Sequence, residues 1–170
     1  DKHQENGLVC IAIGNIYFKD RDINLISKEI IKIYLEKNIE ECCRQNGLYS
    51  FIIYDKLKNL FFLGVDQNSI IPTYYFHFKN TLFFSWHLPQ ISALSNQTLD
   101  LNGNHFLRTI YAGPLGLNSS TPIKNVKALY ASSYLKYIRN KLITNQLPPF
   151  NYKPALDLCE SEHIHNVKNA

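Results

Sequence analysis

Four β-rich runs follow one another with almost nothing between them. They are residues 48–54 (LYSFIIY), 60–65 (LFFLGV), 73–78 (TYYFHF) and 82–86 (LFFSW). Aromatic and β-branched side chains dominate each run, which suits a pleated, half-buried surface. Short polar segments at 55–59, 66–72 and 79–80 separate them. A parallel pairing needs a crossover of a dozen or more residues, so these connections allow only antiparallel hairpins. The runs predict a four-strand meander. Large apolar groups fall on both faces of it, so a second layer is expected on each side.

The flanking segments can supply those layers. Residues 8–13 (LVCIAI) read as a buried strand closed by a turn at Gly14-Asn15, with 16–18 continuing beyond it. Ile26, Ile30, Ile33 and Tyr34 share one helical face, which predicts a helix over 27–37 with Ser27 as N-cap. A short helical piece over 39–44 precedes the Asn46-Gly47 turn. After the meander, residues 88–94 predict a short helix opened by Pro89. A further helix over 103–112 is capped by Asp100 or Asn102, with His105, Phe106, Ile110 and Tyr111 as its buried side. Gly113-Pro114 ends it. A Gly/Asn/Ser-rich loop at 116–121 follows, then a strand within 126–139 that uses Tyr134, Leu135 and Ile138. From 147 the composition changes. Pro148, Pro149 and Pro154 mark a linker, and 160–170, capped by Ser161, read as the start of a helix. The expected organisation is one domain over 1–146 and a linker over 147–170 leading to another domain.

Composition narrows the function classes. The 170 residues carry a net charge of +4 with lysines spread along the chain, so no nucleic-acid footprint is expected. No apolar stretch reaches the ~18–20 residues of a membrane span. The N-terminus has no signal-peptide core, and a cytoplasmic protein is expected. Met is absent and the chain begins with Asp1, so Asp1 is not expected to be the encoded start. Cys10, Cys42, Cys43 and Cys159 form no CxxC pair and no zinc spacing, and read as reduced, half-buried thiols. His77 and His87 flank the third and fourth runs, and His163 and His165 stand at i, i+2, a poor metal pair. No metal site is expected. Trp86 and Tyr74-Tyr75 suit either sheet core or a peptide groove, with core favoured.

Residues 47–55 (GLYSFIIYD) and 65–75 (VDQNSIIPTYY) resemble two runs of the asparagine synthetase family, G-x-F-A-F-x-x-x-D and R-D-x-x-G-x-K-P-L-Y-Y. Residues 106–114 and 121–129 resemble its later segments, and 13–17 (IGNIY) are similar to its N-G-E-I-Y. The matches run in order over most of the chain. The resemblance implies an α+β fold of N-terminal-nucleophile hydrolase type, an αββα sandwich of two antiparallel sheets between helical layers. In the family this domain releases ammonia from glutamine, and a second domain activates a carboxylate with ATP and Mg²⁺ for amide formation. The resemblance marks Gly14, Asn15 and Asp66 as remnants of a glutamine site.

Departures from the pattern bear on activity. The family's glutaminase uses a Cys as residue one, whose own α-amino group is the base; here Asp1 stands first and Cys10 lies inside an apolar run. Val65, Ser69 and Ile71 replace the Arg, Gly and Lys of the second motif. No S-D-x-E loop lies between Gly14 and Gly47. The phosphate loop S-G-G-x-D-S is absent, and Gly113-Pro114-Leu115-Gly116 follows a helix rather than opening one. No catalytic residue, cofactor or metal is therefore assigned to this chain; ATP and Mg²⁺ are expected in a following synthetase domain. The reading is an amidotransferase-like domain without glutaminase activity, resembling β-lactam synthetases and, more closely, lasso-peptide cyclases, with a peptide as possible substrate and a homodimer as possible assembly. The alternatives are an active glutaminase whose Cys lies upstream of this chain and a stand-alone module that binds a peptide or protein.

Overall fold

The computed structural model describes residues 1–17, 25–95, 100–113 and 119–148. Thirteen elements run in the order β1 (Lys2–Glu5), β2 (Leu8–Ile16), α1 (Ile26–Glu36), α2 (Ile39–Cys43), β3 (Gly47–Asp55), β4 (Leu60–Val65), β5 (Tyr74–Phe78), β6 (Thr81–Ser85), α3 (Leu88–Ser95), α4 (Gly103–Ala112), β7 (Lys127–Ala128), β8 (Ser133–Ile138) and β9 (Lys141–Gln146). The expected linker and helix at 149–170, with Pro149, Pro154, Cys159, Ser161, His163 and His165, lie outside the described residues. So do Phe18, Pro114 and residues 116–118 of the 116–121 loop.

The four β-rich runs are strands, but they do not form one meander. β3 and β4 pair in a six-stranded sheet of order β1-β2-β3-β4-β8-β9, and β5 and β6 pair in a three-stranded sheet of order β6-β5-β7. The chain leaves one sheet for the other between Val65 and Tyr74. The cause is Asp66, whose Oδ1 accepts the N–H of Asn68 at 2.6 Å and of Ser69 at 2.9 Å. This side-chain turn redirects the backbone, which a hairpin turn would have reversed in place. Every described strand pair is antiparallel.

Alternation along β3 shows how the layers close. Tyr49, Phe51 and Ile53 join the core beneath α1 and α2, with Cys10, Ile30 and Cys43. Ile52, on the opposite face, joins Leu63, Tyr75 and Leu135 in a second core between the two sheets. A third core of Phe76, Ile91 and Val126 lies between the small sheet and α3. The result is a sandwich of two antiparallel sheets between helices, as the sequence predicts.

Several local expectations change. Gly14-Asn15 is not a turn: both residues sit within β2, paired with Tyr49 and Leu48. Gly14 has φ +104°, and a Cβ there would lie 2.0 Å from the Leu48 carbonyl oxygen. The glycine thus serves close backbone approach inside a strand. The polar N-terminus forms β1, joined to β2 by Asn6 and Gly7, both at positive φ as a tight hairpin requires. Ser27 does not cap α1. The Asp1 carboxylate accepts the Ile26 N–H at 2.7 Å and the Ser27 N–H at 2.9 Å. It satisfies two free donors of the first turn and places a negative charge at the helix's positive end. Asn102 is the cap of α4, but the helix buries only His105. Phe106, Ile110 and Tyr111, expected inside, are exposed. A strand not expected from sequence, β9, pairs with β8 across the Arg139-Asn140 turn.

Candidate functional site

The fold brings the three residues marked by sequence to one end of the large sheet. Gly14 and Asn15 close β2, Tyr49 and Leu48 of β3 lie beside them, and Asp66 follows β4. Asp66 is fully buried. Its Oδ2 accepts the Tyr49 N–H at 2.9 Å, and its Oδ1 serves the Asn68 and Ser69 N–H groups. Its own backbone bonds Tyr49 through N–H and Ser132 through C=O. Asp66 therefore ties β3, the turn to the second sheet and the start of β8 together. A carboxylate with three backbone donors has little left for a ligand.

The neighbours complete this closure. The Ile71 side chain lies over Gly14, its Cδ1 2.7 Å from where a glycine Cβ would stand. Ser69 has φ +50°, the left-handed conformation that suits the glycine the resemblance implies at this position. The Ser50 hydroxyl lies 2.7 Å from Thr73 Oγ1 and 3.2 Å from the Gly64 carbonyl, and accepts the Trp86 indole N–H at 2.9 Å. Ser50 was not singled out by sequence; it joins both sheets and the segment after β6. Trp86 packs on the inter-sheet core. Tyr75 packs there too, whereas Tyr74 faces α3, so these aromatics build sheet core rather than one groove.

The thiols give no nucleophile at this end. Cys10, Cys42 and Cys43 are completely buried in the core beneath α1 and α2. Burial pushes the Cys10 and Cys43 thiols each up to about 12 from 9.0, and raises Cys42 further. Cys42 Sγ lies 3.6 Å from the Ile30 carbonyl, and Cys43 Sγ 3.7 Å from that of Ser133. These adjacent cysteines point to α1 and β8 respectively. A thiol that holds its proton near neutral pH is a poor nucleophile. His77 packs edge-on against Tyr137, and both His77 and His87 are exposed. Among the described residues, no group of three or more His, Cys, Asp or Glu could hold a metal ion. Nor is any described helix long and apolar enough to cross a membrane.

The comparison with known families agrees with this frame. A model of the glutamine amidotransferase domain matches residues 27–147, from α1 through the end of β9. The chain belongs to the glutamine amidotransferase domain family. No curated protein matches it. Within this amidotransferase domain the match takes in the small sheet, four of the six strands of the large sheet, the Asp66 turn and the Ser50 network, but begins beyond β1 and β2, and so beyond Gly14 and Asn15.

Proposed function

We propose that this amidotransferase domain no longer hydrolyses glutamine, and that it serves an ATP-dependent, amide-forming enzyme of asparagine synthetase type. The observation that carries the reading is the filled Gly14–Asp66 end. The internal thiols offer no substitute nucleophile, since Cys10, Cys42 and Cys43 are buried and hold their protons. Asp66 spends its carboxylate on backbone donors, and Ile71 covers Gly14 with hydrocarbon. A glutamine zwitterion leaving water would lose hydration without gaining charged partners there.

With no ammonia made here, the amine in this reading is one carried by the substrate itself. That chemistry fits enzymes that close a ring by joining an activated carboxylate to an amine of the same molecule, as lasso-peptide cyclases and β-lactam synthetases do. ATP and Mg²⁺ would act in the synthetase domain, where carboxylate activation leaves an acyl-adenylate and pyrophosphate. The amidotransferase domain would then contribute packing and shape to that partner.

Two assays on the full-length protein test this. Glutamate released from glutamine should stay at the level of the buffer control, with and without ATP. Carboxylate-dependent exchange between ATP and pyrophosphate should be present. Sustained glutamate release would refute the loss of glutaminase activity, and absence of exchange with peptide and small-molecule carboxylates alike would refute the synthetase context.

A further inference from the structure

The opposite end of the sandwich holds a cavity of about 340 Å³ that the amidotransferase reading does not use. It lies where three hairpin turns meet, at the β3–β4, β5–β6 and β8–β9 connections. Along β3, Tyr54 on this cavity stands five residues from Tyr49 beside Asp66, roughly 17 Å at the rise of a strand. The cavity is therefore separate from the Gly14–Asp66 end, and its occupant does not depend on the function proposed above.

Its walls are aromatic and come from both sheets. Tyr54, Phe61 and Tyr137 rise from the large sheet, and Leu82 and Phe84 from β6. Phe61 and Phe84 meet at 5.2 Å between ring centroids. Flat walls of this kind receive a flat ring by stacking and edge contacts. The volume suits one or two fused rings with a short substituent, at the low end of small-molecule sites.

The rim is polar and carries one positive charge. The Tyr54 hydroxyl donates to Asn59 Oδ1 at 3.2 Å, so the Asn59 amide nitrogen is left to point elsewhere. The Tyr137 hydroxyl donates to the Asn80 carbonyl at 2.5 Å and lies 3.3 Å from Asn140 Oδ1. With its oxygen taken by the Tyr54 hydroxyl, Asn59 is left an N–H donor. Arg139 adds a guanidinium that enters no ion pair among the described residues. No Asp or Glu lines the cavity. A cation would find no counter-charge here, and a polyphosphate would find one guanidinium where it needs several charges. A single carboxylate matches both the donors and the one positive charge.

We propose that this cavity binds a planar aromatic ring carrying one carboxylate, with the ring packed against the aromatic wall of Phe61, Phe84 and Tyr137 and the carboxylate on Arg139. The chemistry could come from a free aromatic acid or from an aromatic residue at the carboxyl end of a peptide.

Calorimetric titration of the full-length protein tests this with three probes: N-acetyl-tryptophan, a Gly/Ser pentapeptide ending in tryptophan with a free carboxylate, and N-acetyl-tryptophanamide. At least one carboxylate probe should bind saturably, and the tighter of the two identifies the source. The amide should bind about tenfold more weakly or worse, the loss expected when a charged hydrogen bond is removed. Arg139→Asn should abolish the preference for the acid over the amide. Asn tolerates the left-handed conformation of this turn position, φ +47°, so the fold is kept. Phe84→Leu should weaken both acid and amide while keeping the preference. The proposal is overturned if neither carboxylate probe binds at millimolar concentration, if the amide binds as well as the acid, or if Arg139→Asn leaves the preference intact.

Discussion

The two ends of the sandwich are built from the same strands and meet opposite fates. At the Gly14–Asp66 end, polar groups are buried and matched one to one. Asp66 receives three N–H groups, and Ser50 links Thr73, Gly64 and Trp86. At the hairpin end the polar groups stand at the rim of an open cavity, with the Arg139 guanidinium outside every ion pair among the described residues. The first arrangement stabilises a fold and the second can recognise a ligand. Resemblance to a family motif draws attention to the first end, while hydrogen-bond accounting draws it to the second.

The largest effect that would sharpen this contrast is expected at Gly14. Gly14→Ala places a Cβ 2.0 Å from the Leu48 carbonyl oxygen at a φ of +104°. Neither strand can yield without breaking the β2–β3 ladder in the middle of the large sheet. A loss of more than about 3 kcal/mol is expected, combining backbone strain with steric overlap. Chemical denaturation measures it, and a variant as stable as the parent would show that the β2 backbone is not held as described.

Asp66→Ala should come next. It leaves a buried Tyr49 N–H and the two turn N–H groups without their acceptor, for a loss of about 3 kcal/mol. Full stability combined with lost ligand binding would reverse the assignment of Asp66 from architecture to recognition.

The thiols set a smaller, pH-dependent effect. Cys10 and Cys43 are each raised from 9.0 to about 12 in the folded protein. The unfolded chain releases these protons at lower pH than the folded one, so above 9 the folded state holds more of them. Their contribution is fully present below 9, declines as pH rises beyond it, and is gone once pH passes the folded value near 12. At pH 10 each thiol should already cost about 1 kcal/mol of stability. Cys10→Ala should flatten the decline between pH 8 and pH 10 seen by denaturant titration; an unchanged slope would mean that Cys10 is not desolvated.

How much of this was legible follows from what each signal encodes. The strands β3 to β6 were legible because β-rich runs and turns are local. Their division between two sheets was not, because it depends on a turn closed by Asp66 and on β8, far along the chain. Gly14-Asn15 looked like a turn because glycine and asparagine favour turns. Nothing local says that the Leu48 carbonyl will press against Gly14. Asp1 as the cap of α1 is equally non-local, separated from Ile26 by 25 positions. The cavity had no sequence signature at all, since its rim comes from three hairpin turns and its walls from two sheets.

The two amphipathic helices put the same limit in energetic form. α1 and α4 both carry an apolar face at helical spacing, but Ile30 of α1 is fully buried, whereas Ile110 of α4 is 77% exposed. Periodicity names the face of a helix and leaves open what lies against it. Cutting a buried isoleucine such as Ile30 to alanine should cost about 3 kcal/mol. Ile110→Ser should change stability by less than about 0.5 kcal/mol, the smallest effect expected here, because the side chain already faces water. Both are read from the same denaturation curves on the full-length protein. A loss above about 1 kcal/mol for Ile110→Ser would mean that the face of α4 is covered in solution, and the contrast between the two helices would be gone.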